Sequence, residues 1–522
     1  MNENIIREFM QKENLQYLLI NSTNEFLVEY NKLEENSRYK LTNFSGSTGE
    51  ALVTPDTIFL FVDGRYHIQA DQEVNHSKVT VVKLQTGQNA IDEIIAKIPQ
   101  DAVLGIFSKK NSQAKAEKFA QKLNLKYLDN DPFDQNAKQE ATQDIKIDKK
   151  YTGLTSEEKI AKISHSLSNN EAIYITDLDE VSYIFNMRNF SQCYSSKIKA
   201  KAIIFKDNAI LFTQDKLSEI DEFLKNINKN VYIDKKKINA YDYKLLGSNA
   251  IELKSNPVAS MKAQKTEAEI EHLKDAFART DKAVSAIRDY IYNNNSISEF
   301  DVAIQLAKEF KNQGAVGLSF ASIIAKDKNS ALAHYSKCSK EEIITEGSLV
   351  LIDCGGYFEG GLATDITRVF VKGEPKYLHK KIYTNVLKAF LNAFNYIKKH
   401  PQNPVTGYEI DKSVHEFFNS QDLNGFVFNH GLGHGIGINV HEYPPKLSSD
   451  EIAKVPLLDG ECFSIEPGLY KEGEFGIRLE NSCYYKNGNI HSFVNMNYEQ
   501  KLIDYSLLSE EEIQWLKEFE VK

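Results

Sequence analysis

Two stretches decide how this chain folds: residues 348–371, SLVLIDCGGYFEGGLATDITRVFV, and residues 429–442, NHGLGHGIGINVHE. The first reads as an apolar strand closed by Asp353, a glycine-rich turn, and a second apolar strand entered just after Asp365. The second carries His430, His434 and His441 on glycine-spaced backbone. Its glycines alternate as in a phosphate loop, but no Lys-Ser/Thr follows and the run leads into extended NVHEYPP, so nucleotide binding is not expected. Spaced glycines also let backbone pass close to a metal or a substrate, and that is the expectation here.

Further along, Glu466 lies in FSIEPG and Glu480 in FGIRLEN. Taken singly, a strand-end aspartate is a turn former, a histidine in a glycine loop is a hydrogen-bonded structural residue, and Glu466 is a surface acid. Taken together they are harder to dismiss, because Asp353, Asp365, Glu466 and Glu480 all adjoin segments that read as buried strands. Two like charges 4 Å apart repel by roughly 4 kcal/mol at an effective dielectric of 20. Either several of these acids take up protons or cations sit among them. Two divalent cations would balance four carboxylates, and oxygen-rich ligation with one imidazole suits a hard metal such as Mn²⁺. Arg478 and Glu480 are i and i+2, so on a strand they face one side. The fork of Arg478 is then placed to orient a ligating carboxylate.

Outward from this region the chain is 522 residues with 42% apolar and 26% charged residues, ordinary globular composition that suggests roughly three domains. Residues 1–150 and 151–255 each alternate helix and strand signals and read as α/β. Polar Asp129–Lys150 reads as a linker and Asn256-Pro257 as the next boundary. Residues 256–522 open with two helices, over Thr266–Tyr292 and Ser298–Asn312, and then read as strands and glycine-rich turns interrupted by helices near Tyr377–Lys399 and Gly407–Asn419, an α+β pattern. A terminal helix near Ser509–Phe519 carries the sole tryptophan, Trp515, expected to dock on the core.

The net charge of −10 argues against a nucleic-acid partner. No apolar run approaches 18 residues, so no membrane span is expected. Five cysteines form no CxxC pair and read as reduced thiols of a cytoplasmic protein, and the acid-bearing N-terminus does not read as a signal peptide. Arginines number eight against fifty-five lysines. An arginine surviving such a bias is a candidate for a role that needs its planar fork.

The motifs together resemble the pita-bread metallopeptidases, and within them the three-domain aminopeptidase P (Xaa-Pro aminopeptidase) group. The resemblance covers nearly the whole chain. FSGSTGEALV and VDGRYHIQAD resemble the group's first, creatinase N-terminal-like domain, and YTGLTSEEK with DLDEVSYIFNMR its second. GLSFASII, HY, DCGGYFEGGLATDITR, HGLGHGIG, VHE, EPG and RLE follow in the catalytic domain in family order. The resemblance implies that Asp353, Asp365, His434, Glu466 and Glu480 ligate two divalent metal ions, manganese first, with zinc or cobalt as alternatives. It implies that His334 and His441 stand beside the metals, that Phe320 and His430 shape a pocket for the penultimate proline, and that Arg478 supports a ligand.

The activity implied is release of the N-terminal residue from peptides with proline second, by a hydroxide activated between two metals, with Glu466 taking the proton. A homodimer is also implied, with Phe44–Gly49 and Asp63–Tyr66 facing the partner. Prolidase acting on Xaa-Pro dipeptides is the main alternative. A non-catalytic peptide-binding member of the fold is the other, disfavoured because all five ligand positions are filled. One departure stands out. The family usually spaces its two aspartates by eleven steps, and here the spacing is twelve. A one-residue slip flips side chains across a strand, so the extra residue is expected in the turn at Gly360-Gly361; otherwise Glu359 would replace a ligand.

Overall fold

A computed structural model describes residues 2–85, 87–134, 143–401 and 403–520. The chain divides into two compact units: residues 1–142, 156–185 and 198–258 form one, and residues 143–155, 186–197 and 259–522 the other.

The first unit contains two sheets. Six strands run in the order Val79–Lys83, Ile58–Val62, Glu50–Val53, Tyr17–Ile20, Val103–Phe107 and Asn124–Leu128. Five more run Ala209–Thr213, Ala200–Phe205, Glu171–Ile175, Asn230–Ile233 and Ala250–Glu252. Helices alternate with these strands, the α/β pattern expected from the sequence. Phe44 and Tyr66 of the first unit are buried against each other edge to face, with ring centroids 5.6 Å apart. Residues 135–142 of the supposed linker lie outside the described residues. Just before them Asp131 is buried and ion-paired with Lys110 at 2.7 Å, so the stretch begins inside the fold.

The second unit positions the acids and histidines. Its three-stranded sheet pairs Leu349–Cys354 with Ile323–Lys326 on one side and Ile366–Val371 on the other. Leu349 pairs with Val371, Leu351 with Val369 and Asp353 with Thr367. Directly paired residues share a face, so one face carries Leu349, Leu351, Val369 and Val371 and ends in Asp353 and Thr367. Asp365, two residues before Thr367, continues the same row. The apolar part of the row packs on Ile382, Val386 and Phe390 of the helix Tyr377–Lys398 and on Phe463 and Ile465 of a second, five-stranded sheet. Each such side chain, fully buried, contributes roughly 1.5–3 kcal/mol. The ends of these strands are therefore held by a packed core, and there the row changes from apolar to acidic.

The turn between the two aspartates closes with Gly361 donating to the Phe358 carbonyl at 2.8 Å, Gly361 taking φ +69°. The pairing of Asp353 with Thr367 is undisturbed, so the strand register holds on both sides of the turn. Glu359 points outward, 46% exposed, and pairs with Arg279 at 2.6 Å.

The helices Glu267–Asn293, Glu299–Asn312 and Gly407–Asn419 fall within a residue or two of their expected limits, the first capped reciprocally by Thr266 and Glu269. Half-buried Trp515 packs on the core. All five cysteines are free thiols. Among the described residues no helix is long and apolar enough to cross a membrane.

Candidate metal centre

Five short segments converge where the three-stranded and five-stranded sheets of the second unit meet. Asp353 is the penultimate residue of one strand and Asp365 precedes the next. His434 lies in the strand Gly433–Gly435, Glu466 follows Cys462–Ile465, and Glu480 follows Gly476–Arg478. One ligand atom from each of Asp365, His434 and Glu480 lies within 4.8 Å of the others. His434 Nε2 is 3.3 Å from Glu466 Oε1 and 3.6 Å from Asp365 Oδ2. Asp353 is drawn in by Arg478, whose Nη2 donates to Oδ2 at 2.5 Å.

The electrostatics are those of a site short of positive charge. Burial raises the Asp353 carboxyl above its ordinary range despite Arg478. Burial, and then the charges of its carboxylate neighbours, push Asp365 and Glu480 well above theirs. Burial also works against the charge on Glu466, but the hydrogen bond and charge of His434 hold it down at about 2. Burial disfavours the His434 imidazolium, and Glu466 overcomes that and holds it above its ordinary value.

Three carboxylate oxygens, Asp353 Oδ1, Asp365 Oδ1 and Glu480 Oε1, are buried with no hydrogen-bond donor. Buried polar atoms are normally satisfied, and an orphan points to an ion or water. Orphaned oxygens on three converging acids beside one imidazole fit hard divalent cations.

Thr367 and Tyr470 were not expected from the sequence. The Thr367 hydroxyl donates to Glu480 Oε2 at 2.8 Å and accepts from Arg478 Nε at 3.2 Å. Arg478 and Glu480 thus meet on one side as expected, although the strand stops at Arg478. Two-residue periodicity from Asp365 could have found Thr367. Tyr470 lies across a two-stranded ribbon from Gly476, and its hydroxyl accepts from Arg478 Nη1 at 2.7 Å and contacts His430 Nε2 at 2.9 Å. No period in the sequence pointed to it.

His441 stacks edge-on against His434, with centroids 4.4 Å apart. His334 is half-buried and follows Ala333, whose carbonyl accepts from Arg478 at 3.2 Å. His430 is half-buried between Phe428 and Tyr470. Phe320 is buried next to Ser319, which donates to the Thr364 carbonyl beside Asp365 at 2.8 Å. The alternating glycines are expected from the sequence to let backbone pass close to a metal or substrate; in the structure the atoms that crowd them are protein. A Cβ at Gly433 would lie 2.0 Å from the Ser464 carbonyl oxygen, and one at Gly437 2.3 Å from the Glu442 carboxylate. They make room for protein.

Residues 271–487 match the family model described as metallopeptidase family M24, and residues 134–269 match the creatinase/prolidase N-terminal domain. Residues 271–487 of the chain are thus matched as an M24 metallopeptidase domain. A probable Xaa-Pro aminopeptidase P of Coprinopsis cinerea is 27% identical over 588 residues, 98% of this chain and 93% of its own length. The Xaa-Pro aminopeptidase 1 of Dictyostelium discoideum is 28% identical over 580 residues, 98% of this chain and 91% of its own. Among solved structures, the X-prolyl aminopeptidase of Caenorhabditis elegans, described as a cytosolic enzyme with a di-nuclear active site, superposes with a TM-score of 0.87 at 21% identity. It covers 97% of this chain and 90% of its own, and this likeness shows the shared pita-bread M24 fold with its creatinase-type N-terminal part.

Proposed function

We propose that this protein, with its M24 domain, is a metal-dependent Xaa-Pro aminopeptidase that releases the first residue of peptides with proline second. The observation that carries the reading is the trio of buried, orphaned carboxylate oxygens around His434. The relatives named Xaa-Pro aminopeptidase, matched along almost their whole length, support the substrate class.

In this reading Asp353, Asp365, His434, Glu466 and Glu480 hold two divalent cations, with manganese favoured by the oxygen-rich donor set. Bound there, such cations lower the pKa of water and polarise a peptide carbonyl. Glu466, ionised beside His434, accepts the proton from the attacking water at its carboxylate. His441 and His334 donate hydrogen bonds to the peptide as its carbonyl carbon becomes tetrahedral. Phe320 and His430 receive the proline ring, whose nitrogen carries no N–H for an ordinary protease to use. Arg478 keeps Asp353 oriented and favours its ionised form against burial.

The same reading assigns residues 1–150, 151–255 and 256–522 to N-terminal, middle and catalytic domains, the first two corresponding to the two sheets of the first unit. It also takes the chain to be cytoplasmic, a placement that free thiols and the cytosolic description of the C. elegans enzyme support, and to form a homodimer.

The test is release of arginine from Arg-Pro-Pro by metal-stripped protein before and after Mn²⁺ is added, beside an Xaa-Pro dipeptide. Turnover of the tripeptide that needs metal and disappears in Glu466→Ala is expected. Full activity of the stripped protein or of the variant refutes the mechanism, and cleavage of the dipeptide alone refutes the substrate assignment in favour of prolidase.

A further inference from the structure

The chain segment bearing His441 is anchored by a buried charge cluster. Glu442 is the next residue, with its side chain 1% exposed. Its Oε1 accepts from the Ile438 backbone N–H at 3.0 Å and from Lys262 Nζ at 3.0 Å, and its Oε2 accepts from Lys265 Nζ at 2.6 Å. Both lysine side chains are 2% exposed. Lys265 is itself fixed, its Nζ donating to the Lys262 carbonyl at 2.9 Å and its N–H to the Gly460 carbonyl at 2.9 Å.

Two ammonium groups around one carboxylate in the interior are costly to assemble, and a single hydrophobic residue would fill the space more cheaply. What the cluster provides is a fixed loop. The Glu442 carboxylate closes the turn 437–442 from inside, against Gly437, which leaves no room for a Cβ. The outer edge of the same loop is tied to the rest of the centre. The Gly437 carbonyl accepts from Ala363 N–H at 2.7 Å, two residues before Asp365, and the Ile438 carbonyl accepts from the Tyr357 hydroxyl at 3.0 Å. Within the loop, the Asn439 side chain donates to the His441 carbonyl at 3.0 Å.

We propose that Glu442, clamped by Lys262 and Lys265, is a positioning residue that fixes the His441 imidazole for the reaction. The inference rests on the aminopeptidase reading for the role of His441, but the clamp itself is a statement about where that ring is held. Loss of the carboxylate frees the turn and lets the ring wander from its place beside His434.

A double-mutant cycle on the metal-loaded full chain tests it. Glu442→Ala lowers kcat at least tenfold with KM little changed, and in a His441→Ala background the same substitution costs less than twofold. An equal fold-loss in both backgrounds overturns the proposal, as does a fall in metal content that accounts for the lost activity. If Glu442→Ala does not fold, Glu442→Gln, which keeps an acceptor for Ile438 N–H, takes its place in the cycle. In parallel, the His441 Cε1–H resonance should shift or broaden in Glu442→Gln while that of His430 stays, and an unmoved His441 signal overturns the clamp. A wild-type chain inert toward Arg-Pro-Pro would sink the aminopeptidase reading alone, because the resonance still decides where His441 is held.

Discussion

Replacing Thr367 by valine removes one hydroxyl from the centre of the site and almost no volume. That hydroxyl donates to Glu480 at 2.8 Å and accepts from Arg478 at 3.2 Å, so two ionisable groups lose a partner at once. A hydrogen bond to a charged group contributes roughly 1.5–3 kcal/mol. Arg478 keeps its bonds to Asp353, Tyr470 and the Ala333 carbonyl and can relax onto them, which argues for the lower end of the sum, about 3 kcal/mol in the stripped protein. Outer partners of metal ligands are worth roughly 10–100-fold in affinity. Calorimetric titration of stripped protein with Mn²⁺ should show Thr367→Val binding at least tenfold more weakly, and urea unfolding should show the loss of stability. Thr367→Ser, which keeps the hydroxyl, should bind within a few-fold of wild type. Equal Mn²⁺ affinity for wild type and Thr367→Val would refute the reasoning that the hydroxyl supports a ligand.

Arg478→Lys keeps the charge but not the fork that reaches Asp353, Thr367, Tyr470 and Ala333 together. Turnover should fall well over tenfold while circular dichroism stays native. Glu359→Ala removes only an exposed pair with Arg279, so metal content should not change and stability should fall by less than about 1 kcal/mol; a lost metal ion would mean the turn had been misread. Burial holds the Asp281 carboxyl up at about 6 from an ordinary 3.8, despite the backbone N–H of Asn495. A raised acid stabilises the fold fully below its unfolded value and loses that contribution as pH rises through the folded one, here between about pH 4 and 6, by roughly 3 kcal/mol. Asp281→Asn should abolish that slope in a comparison of urea midpoints against wild type. In the first unit, Lys201→Met strands Asp242, now paired at 2.6 Å with both groups buried, and chemical denaturation should show a loss of roughly 3–5 kcal/mol.

Much of this was legible in the sequence because strand periodicity and burial act locally. The run SLVLID announced a buried strand with an acid at its end, and TDITRVFV a partner with Asp365 at its start. What stayed hidden depended on neighbours distant in sequence. Tyr470 matters through Arg478 and His430, which reach it from other segments, and nothing near Tyr470 in the chain signals that. The glycines of HGLGHGIG were expected to let backbone pass close to a ligand, yet the atoms that crowd Gly433 and Gly437 belong to Ser464 and Glu442. The arginine scarcity carried more than motif matching revealed. Arg38, Arg188, Arg368 and Arg478 are all buried, and each fork reaches two or more oxygens. Arg38, outside any recognised motif, holds the carbonyls of Phe44, Gly46, Thr48 and Gly49.

Metal content tests the central claim most directly. Elemental analysis of Mn²⁺-reconstituted, desalted wild-type protein should give two ions per chain, and Asp365→Ala and Glu480→Ala should each retain fewer. A wild-type chain that retains no manganese, or variants that keep both ions, would contradict a dinuclear centre built from these acids.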